Sequence, residues 1–305
     1  MKVVFLVGPT ASGKSQFAFS LAQRVRAEIM NADSVQIYKA LDIGSAKPSG
    51  EERAAVPHLL FDRVEVGQGF TAGDYRREAL ALLADRQRAG ATSVFVVGGT
   101  GFYIQALQRG MYPVPPIPRD VRENLAQSLR RQGVHALYQE LQRIDPATAV
   151  RVAANDQYRI LRALEIFLAS GQRWSEIVRE FRPHPFPYAA VKVGLTLPRE
   201  VLLARVQRRA QMMLDAGWID EVKNILQQTD PHWPPLQSVG YREVVAYLRG
   251  GVSDQELLQQ IVRSTMALAK RQMTWFRRDR EIEWFDALSD TAAAQQRILD
   301  HLRPE

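Results

Sequence analysis

Gly8-Pro9-Thr10-Ala11-Ser12-Gly13-Lys14-Ser15 is the stretch that decides the fold, because it fits the phosphate-binding loop pattern GxxxxGK[ST]. It follows the apolar run Val3–Val7, which is typical of a buried parallel strand. The segment after it carries apolar residues at helical spacing, beginning with Phe17 and Ala18. Strand, glycine-rich loop and helix in this order predict a phosphate site at the edge of a parallel sheet.

The residue types in this loop match what a phosphate group requires. Glycines allow several backbone N–H groups to converge on phosphate oxygens, and the helix N-terminus adds a partial positive charge. Lys14 can neutralise the outer phosphate, and the hydroxyl of Ser15 can ligate Mg²⁺. The loop therefore indicates a polyphosphate ligand without saying which one.

Composition limits the classes of protein to consider. The chain has 305 residues, of which 46% are apolar and 24% charged, as in ordinary globular proteins. It contains no cysteine, which excludes disulfides, thiolate zinc sites and a cysteine nucleophile. No apolar run is long enough for a membrane span, and the chain enters its first strand at once, so we expect no signal peptide and a cytoplasmic location. The net charge of +7 favours an anionic partner such as nucleic acid.

A carboxylate follows the second predicted strand. Residues 28–32 read as a strand that ends at Asp33. Because ligands lie beyond the carboxyl ends of strands in open parallel sheets, we expect Asp33 near the phosphate loop. There it could hold Mg²⁺, act as a general base, or only cap the next helix.

The strand predicted at Ser93–Val97 ends in Gly98-Gly99-Thr100-Gly101. Many phosphate-loop NTPases have an acidic residue after an equivalent strand, where it supports Mg²⁺. A glycine-rich exit predicts instead that a bulky ligand approaches the backbone. It also leaves the Thr100 hydroxyl at the mouth of the sheet.

Two proline-rich stretches, 113–118 and 183–187, divide the chain. The pattern between them is helical, with Asp120 as the expected cap of a helix that ends at Gly133, and with Asp145 and Asp156 as further caps. We predict an α/β fold, a P-loop NTPase-like parallel sheet with helices on both faces, plus an all-helical insertion domain. The predicted boundaries are 1–114 and 189–305 for the split core and 115–188 for the insertion.

The C-terminal third is rich in arginine. Arg205 and Arg209 are four residues apart on one predicted helix, where they could clamp phosphates or form an ordinary solvated face. A later basic run carries Arg263, Lys270, Arg271, Arg277, Arg278 and Arg280 against Asp279 alone, interleaved with Trp275 and Phe276. Such a run suits RNA backbone contact and base stacking, although buried aromatics at a solvated helix end would look the same.

Seven stretches, in order along nearly the whole chain, together resemble the tRNA dimethylallyltransferases, also called tRNA isopentenyltransferases. They are residues 8–15, 33–38 (DSVQIY), 42–48 (DIGSAKP), 97–103 (VGGTGFY), 159–165 (RILRALE), 238–243 (SVGYRE) and 269–277 (AKRQMTWFR). Departures are mild: Ser45 stands where threonine is usual, and Phe102 where leucine is common. Neither removes a group that the chemistry needs.

The resemblance implies transfer of a dimethylallyl group from dimethylallyl diphosphate to N6 of the adenosine immediately 3′ of the tRNA anticodon. It implies that the phosphate loop binds the prenyl diphosphate with Mg²⁺ at Ser15, aided by Arg205 or Arg209. Asp33 becomes the expected general base, with Thr10 and Thr100 assisting. The helical insertion and the basic surface would hold an anticodon stem-loop, with the target base flipped into a channel. The family expectation is a monomer.

The same resemblance assigns a set of residues to RNA contact. They are Asp33, Ser34, Val35, Gln36, Thr100, Arg122, Gln157, Tyr158, Arg159, Ile160, Leu161, Gln237, Ser238, Val239, Gly240, Tyr241 and Arg242.

Two other classes share some of these features. A small-molecule or nucleotide kinase would use the phosphate loop, the sheet and the arginine pair, but it gives no reason for the glycine-rich exit or the basic-aromatic run. A non-catalytic RNA-binding protein would explain the charge but leave Lys14, Ser15 and Asp33 without a purpose.

Overall fold

The apolar run at the start of the chain forms a central strand of a six-stranded parallel sheet. The structure, a computed structural model, describes residues 1–303. The strands are β1 (Lys2–Val7), β2 (Glu28–Asn31), β3 (His58–Leu59), β4 (Ser93–Gly98), β5 (Ala189–Thr196) and β6 (Ile282–Asp286). Their order is β3-β2-β4-β1-β5-β6, and every neighbouring pair is parallel. Because β1 lies between β4 and β5, the phosphate loop that follows it emerges at the middle of the sheet.

Helices account for most of the remaining chain. They are α1 (Lys14–Val25), α2 (Gly50–Ala55), α3 (Ala72–Arg88), α4 (Gly101–Arg109), α5 (Arg119–Ile144), α6 (Pro146–Ala149), α7 (Gln157–Ser170), α8 (Trp174–Glu180), α9 (Arg199–Asp215), α10 (Trp218–Leu226), α11 (Tyr241–Leu248), α12 (Asp254–Phe276) and α13 (Thr291–Leu302). A 3₁₀ turn spans Pro234–Gln237. Within residues 1–303, no helix combines the length and apolar character needed to cross a bilayer.

The sheet is covered on both faces, which confirms the predicted fold class. Val4 and Leu6 of β1 pack with α1 and α13 in one core that includes Leu21 and Ile298. Phe5 points to the opposite face and is also completely buried. A strand buried on both faces reads as a continuous apolar run, and this is why β1 was recognisable from its sequence.

By its contacts the chain divides into two units, one comprising Met1–Arg109 with Pro185–Glu305 and the other Gly110–His184. The second unit is helical, with its own core around Leu137, Leu141, Ile160 and Leu164. Asp145 joins three of its segments. Its N–H donates to the Leu141 carbonyl at the end of α5 at 2.7 Å, its side chain caps α6 by accepting from the Thr148 N–H at 3.1 Å, and it accepts from the Ser175 N–H of α8 at 2.9 Å.

Three details of the helical unit can be compared with the prediction, and one of them differs from it. The expected cap at Asp120 is wrong: α5 begins at Arg119, directly after Pro118, and no side chain caps it. Asp120 lies inside the first turn, where a negative charge favours the helix dipole instead. Gly133 does interrupt this helix, with φ of 79°, and Asp156 caps α7 as predicted.

The last strand was not predicted. β6 (sequence IEWFD) carries two acidic residues in five positions and directly follows the basic run. It is an edge strand whose partner, β5, lies almost ninety residues earlier, with Lys192 opposite Ile282 in register. Its strand character depends on that long-range pairing more than on local propensity.

Gly98 at the end of β4 gives the first testable prediction. A Cβ added there would lie 2.1 Å from the backbone carbonyl oxygen of Ala32, which cannot move without breaking the sheet. We expect Gly98→Ala to lower the free energy of unfolding by about 3 kcal/mol, the upper range for overpacking. Urea titration of both forms measures this.

The matched control is Gly69→Ala, since an added methyl there meets no atom of residues 1–303 within 4 Å. Equal midpoints for the two variants would contradict the steric argument.

Candidate active site

The phosphate loop is shaped by two residues in the left-handed backbone region. Gly13 precedes α1 with φ of 92°, and Ala11 has φ of 63°. The Ser12 N–H donates to the Pro9 carbonyl at 3.2 Å, which closes the turn. When left-handed and right-handed backbone conformations alternate in this way, successive N–H groups point into one concave anion site at a helix N-terminus. The loop thus has the geometry expected of a phosphate cradle.

A cavity of about 390 Å³ opens above this loop. Its wall includes the loop residues Thr10, Ala11, Gly13, Lys14 and Ser15, the acid Asp33, and the cations Lys47, Arg205 and Arg209. Such a density of cations around backbone N–H groups suits a multiply charged anion.

Burial lowers the pKa of Lys14 to about 8, while the carboxylate of Asp33 opposes this shift and Arg209 adds to it. In the free protein Lys14 is charged below pH 8 and becomes neutral as the pH rises through that value. We therefore expect the affinity for inorganic diphosphate to fall above pH 8, approaching about tenfold per pH unit.

Isothermal calorimetry between pH 7 and 9.5 measures this affinity. Diphosphate itself titrates over this range. The quantity to compare is therefore the ratio of the diphosphate affinity of the wild type to that of Lys14→Arg, whose arginine keeps its charge. A ratio that stays constant across the range would contradict the assignment.

A second cavity of about 90 Å³ shares part of its wall with the first. Thr10, Asp33, Ser45 and Arg209 line both. The remaining wall of the second cavity is mostly apolar and aromatic, and includes Val206, Met213, Trp218, Val239, Tyr241 and Leu268. Asp33, Thr10 and Arg209 therefore stand between an anion site at the phosphate loop and a second cavity that has several apolar and aromatic side chains in its wall.

Asp33 is held by a neighbour that the sequence analysis missed. Asn31 is completely buried; its Oδ1 accepts from the Asp33 N–H at 2.8 Å, and its Nδ2 donates to the Asp33 carbonyl at 3.0 Å. The Asp33 Oδ1 accepts from the Val35 N–H at 2.9 Å, so one carboxylate oxygen does stabilise the following turn. The Oδ2 receives no hydrogen bond from residues 1–303 and remains available for chemistry.

Hydroxyl groups flank this carboxylate on both sides. Arg209 Nη2 donates to the Thr10 Oγ1 at 2.6 Å. Thr100 Oγ1 accepts from the Ser34 N–H at 3.0 Å, which ties the end of β4 to the Asp33 turn. Arg205 makes a longer contact, 3.5 Å from its Nη1 to the Ser12 carbonyl, and lines only the larger cavity. Of the arginine pair, Arg209 is thus the one placed against both cavities.

The glycines after β4 do not make room for a ligand, and that prediction was wrong. A Cβ at Gly99 would lie 2.3 Å from Gln272 Nε2, and one at Gly101 would lie 2.2 Å from the Trp275 indole. The space beside these glycines is filled by side chains of α12. Because Gly99 and Gly101 have no side chain, α12 can pack closely against the turn after β4.

The predicted RNA-contact residues are distributed over both units. In the helical unit, Arg122, Gln157, Tyr158 and Arg159 are exposed, with Tyr158 77% accessible. The prediction that Ile160 contacts RNA is wrong, because its side chain is completely buried in the helical core and presents no surface to RNA.

In the other unit, Ser34, Val35, Gln36, Ser238 and Val239 are partly accessible. Gln237 and Arg242 are exposed, whereas Gly240 and Tyr241 are buried. The six cations of the basic run are all exposed. Its two aromatics differ: Trp275 is 38% accessible and lies 6.4 Å from the Phe102 ring, whereas Phe276 is buried. Only Trp275 of this pair therefore offers a surface for base stacking.

Glu221 of α10, also missed by the sequence analysis, anchors the 42–48 segment. Its Oε2 accepts from the N–H groups of Asp42 (2.9 Å) and Ile43 (2.6 Å), and its Oε1 accepts from the Gly44 N–H and the Tyr241 hydroxyl. Ser45, which lines both cavities, belongs to the segment held in this way. No motif surrounds Glu221, so the sequence offered no signal for it.

The donors for Mg²⁺ are few. Among the residues that the structure describes, no group of three or more His, Asp or Glu side chains could hold a metal ion. The cavity offers the hydroxyl of Ser15 and the carboxylate of Asp33, whereas the carboxylate of Glu52, which also lines it, accepts from the Ser49 N–H at the start of α2. This sparse oxygen set fits Mg²⁺ that arrives largely coordinated by phosphate oxygens and water, as is common for this ion.

Comparison with known proteins gives a consistent result. The family described as IPP transferase matches residues 36–279. A tRNA dimethylallyltransferase of Bdellovibrio bacteriovorus is 44% identical over 305 residues, which cover 99% of this chain and 98% of that protein. The crystal structure of a tRNA isopentenylpyrophosphate transferase from Bacillus halodurans superposes with a TM-score of 0.72 at 34% identity, covering 99% and 96% of the two chains. A eukaryotic dimethylallyltransferase acting on tRNA gives a TM-score of 0.83 at 26% identity, covering 99% of this chain and 80% of that one.

Proposed function

This chain belongs to the IPP transferase family, and on that basis we propose that it transfers a dimethylallyl group from dimethylallyl diphosphate to N6 of the adenosine 3′ of the tRNA anticodon. The observation that carries the proposal is the shared wall of Asp33, Thr10 and Arg209 between the phosphate-loop cavity and the second cavity. A diphosphate in the first and a base entering from the second would bring the reacting atoms together at Asp33.

The phosphate loop would bind the donor and stabilise its leaving group. As the C–O bond to diphosphate breaks, negative charge grows on the phosphate oxygens. Backbone N–H groups of the loop, Lys14 and Arg209 surround the place where that charge develops. Fixed donors and cations in a partly enclosed site stabilise such charge strongly.

Mg²⁺ is part of this proposal, with the hydroxyl of Ser15 as the protein oxygen that would hold it. When bound, the ion would neutralise further charge on the diphosphate. The loop and its cations orient the donor.

Asp33 is the proposed general base. The exocyclic amine of adenine is a weak nucleophile because its lone pair is delocalised into the ring. As the new C–N bond forms, the nitrogen loses a proton, and Oδ2 of Asp33 is the oxygen free to accept it. Thr10 and Thr100 lie on either side of Asp33, where the Thr10 hydroxyl accepts from Arg209 and the Thr100 hydroxyl accepts from the Ser34 N–H.

The anionic partner would be the anticodon stem-loop of tRNA, which also implies a cytoplasmic location. The exposed basic run of α12 and the exposed Arg122, Tyr158 and Arg159 of the helical unit suit phosphate contact and base stacking. We propose that the protein acts as a monomer, as the resemblance to the family implies.

Radiolabelled dimethylallyl diphosphate, Mg²⁺ and an anticodon stem-loop test the function directly. The stem-loop carries adenosine beside the anticodon in one reaction and guanosine in its matched control, and a third reaction contains ATP in place of the prenyl donor. We expect label on the RNA only with adenosine. ATP consumption without label transfer would overturn the proposal in favour of a kinase, and RNA binding with neither would indicate a binding protein.

A further inference from the structure

A glutamine near the C-terminal end of α12 connects the two loops that bear the site. Gln272 Oε1 accepts from the Thr10 N–H at 2.8 Å, and its Nε2 donates to the Gly99 carbonyl at 3.1 Å. The oxygen of one planar amide therefore binds the phosphate loop, and its NH₂ group binds the turn after β4.

The position of this amide explains why it is needed. β1 and β4 are neighbours, and their pairing ends with Val7 opposite Gly98. Beyond that point ladder hydrogen bonds no longer hold the two chains together, because one enters the phosphate loop and the other turns into α4. Gln272 spans the gap at this level, in the space left by the missing side chain of Gly99.

Each end of this link leads to a group at the reacting centre. The hydroxyl of Thr10 accepts from Arg209, and Thr100, next to Gly99, binds the N–H of Ser34 beside Asp33. The Thr10 N–H is occupied by Gln272, so it is not one of the donors that bind diphosphate. The amide thus relates the loop that holds the leaving group to the turn that carries the base.

We propose that Gln272 is a positioning residue, which sets the separation and orientation of the diphosphate loop relative to Asp33. The proposal rests on the proposed transfer reaction. A glutamine that only packed α12 on the sheet would be replaceable by any side chain of similar volume, whereas this role requires an acceptor and a donor on one group.

The sharpest test is Gln272→Glu, which keeps the shape and the acceptor but loses the donor. At pH 8.5 the introduced carboxylate faces the Gly99 carbonyl, and we expect kcat to fall about 100-fold, the cost of a displacement near 1 Å. KM for dimethylallyl diphosphate should change less than about threefold, because Lys14 and the amides of residues 13–15 are untouched.

The pH profile distinguishes positioning from packing. Partial burial and the facing Gly99 carbonyl raise the pKa of the introduced carboxyl, while the Thr10 N–H on its other oxygen opposes this shift, and a proton returns to the carboxyl as the pH falls. The protonated acid can again donate to Gly99. We expect the ratio of variant to wild-type kcat to rise about tenfold between pH 8.5 and pH 6, as donor function returns.

Two further variants complete the experiment. Gln272→Met removes both polar atoms at similar volume and should show the loss of kcat without recovery at low pH. Gln259→Glu, an exposed position on the same helix with no side-chain hydrogen bond to residues 1–303, should match the wild type. Calorimetry with inorganic diphosphate checks that each variant retains a working loop.

Three results would each overturn the inference: a ratio of Gln272→Glu to wild-type kcat that does not change with pH, a KM that changes by as large a factor as kcat, or wild-type activity in Gln272→Met. In each case, transfer by the wild type would leave the proposed function standing. No transfer by the wild type would overturn both.

Discussion

Asp33→Asn is expected to lower kcat about 10³-fold while tRNA affinity stays within about threefold of the wild type, which is the range for losing a general base. The asparagine Oδ1 can still accept from the Val35 N–H, as the carboxylate does at 2.9 Å, so the turn after β2 is preserved. What disappears is the second carboxylate oxygen, which has no partner among residues 1–303 and is the proposed acceptor of the proton from N6.

Single-turnover transfer and fluorescence titration with the stem-loop measure the two quantities separately. Asp33→Ala is the informative companion, because it removes the turn hydrogen bond as well as the base. If Asp33→Asn lost turnover and tRNA affinity in equal proportion, Asp33 would be an RNA-binding residue and the base would have to be sought elsewhere.

Arg209→Ala is expected to lower kcat/KM for dimethylallyl diphosphate about 10²- to 10³-fold, the effect of removing one donor from a site of developing negative charge. Arg209 lines both cavities and donates to the Thr10 hydroxyl at 2.6 Å. Its loss removes a cation from the diphosphate and also frees Thr10 to rotate. Arg209→Lys should recover only part of the rate, since a lysine presents no planar pair of donors.

The neighbouring Arg208 supplies the control for this variant. It is exposed, lines neither cavity and makes no ion pair with residues 1–303, so Arg208→Ala removes the same charge from the same helix. We expect it to stay within about twofold of the wild type, as surface substitutions do. Similar losses for both arginines in steady-state assays would mean that net charge, and not the position of Arg209, accounts for the effect.

Local features of this chain could be predicted because local chemistry produces them. The phosphate loop is specified by its own glycines and by the strand and helix beside it, and the left-handed backbone at Gly13 follows from that spacing. The caps at Asp145 and Asp156 likewise involve residues three apart. The two units, Met1–Arg109 with Pro185–Glu305 and Gly110–His184, meet near the two proline-rich stretches at 113–118 and 183–187.

Features that depend on distant partners were missed or misassigned. The glycines after β4 suggested a ligand because the sequence could not show that α12 returns to fill the space beside Gly99. Gln272 and Gly99 are 173 residues apart, and Glu221 lies 179 residues from the Asp42 N–H that it binds. β6 is recognisable only beside β5.

The sequence alone thus determined the components of the candidate site: a phosphate-loop pattern, an acid after the next strand along the chain and a basic run, all encoded by residue type and short spacing. The tertiary structure alone decided how that site is held. Glu221 and Gln272 are ordinary polar residues whose hydrogen-bond partners come together only after the sheet and helices have packed. Asn31 binds the nearby Asp33 locally, but its Nδ2 also donates to the Leu60 carbonyl, 29 residues away. The physical reason is that a side-chain amide or carboxylate has no preferred partner in the sequence, and burial next to a particular backbone N–H or carbonyl selects one.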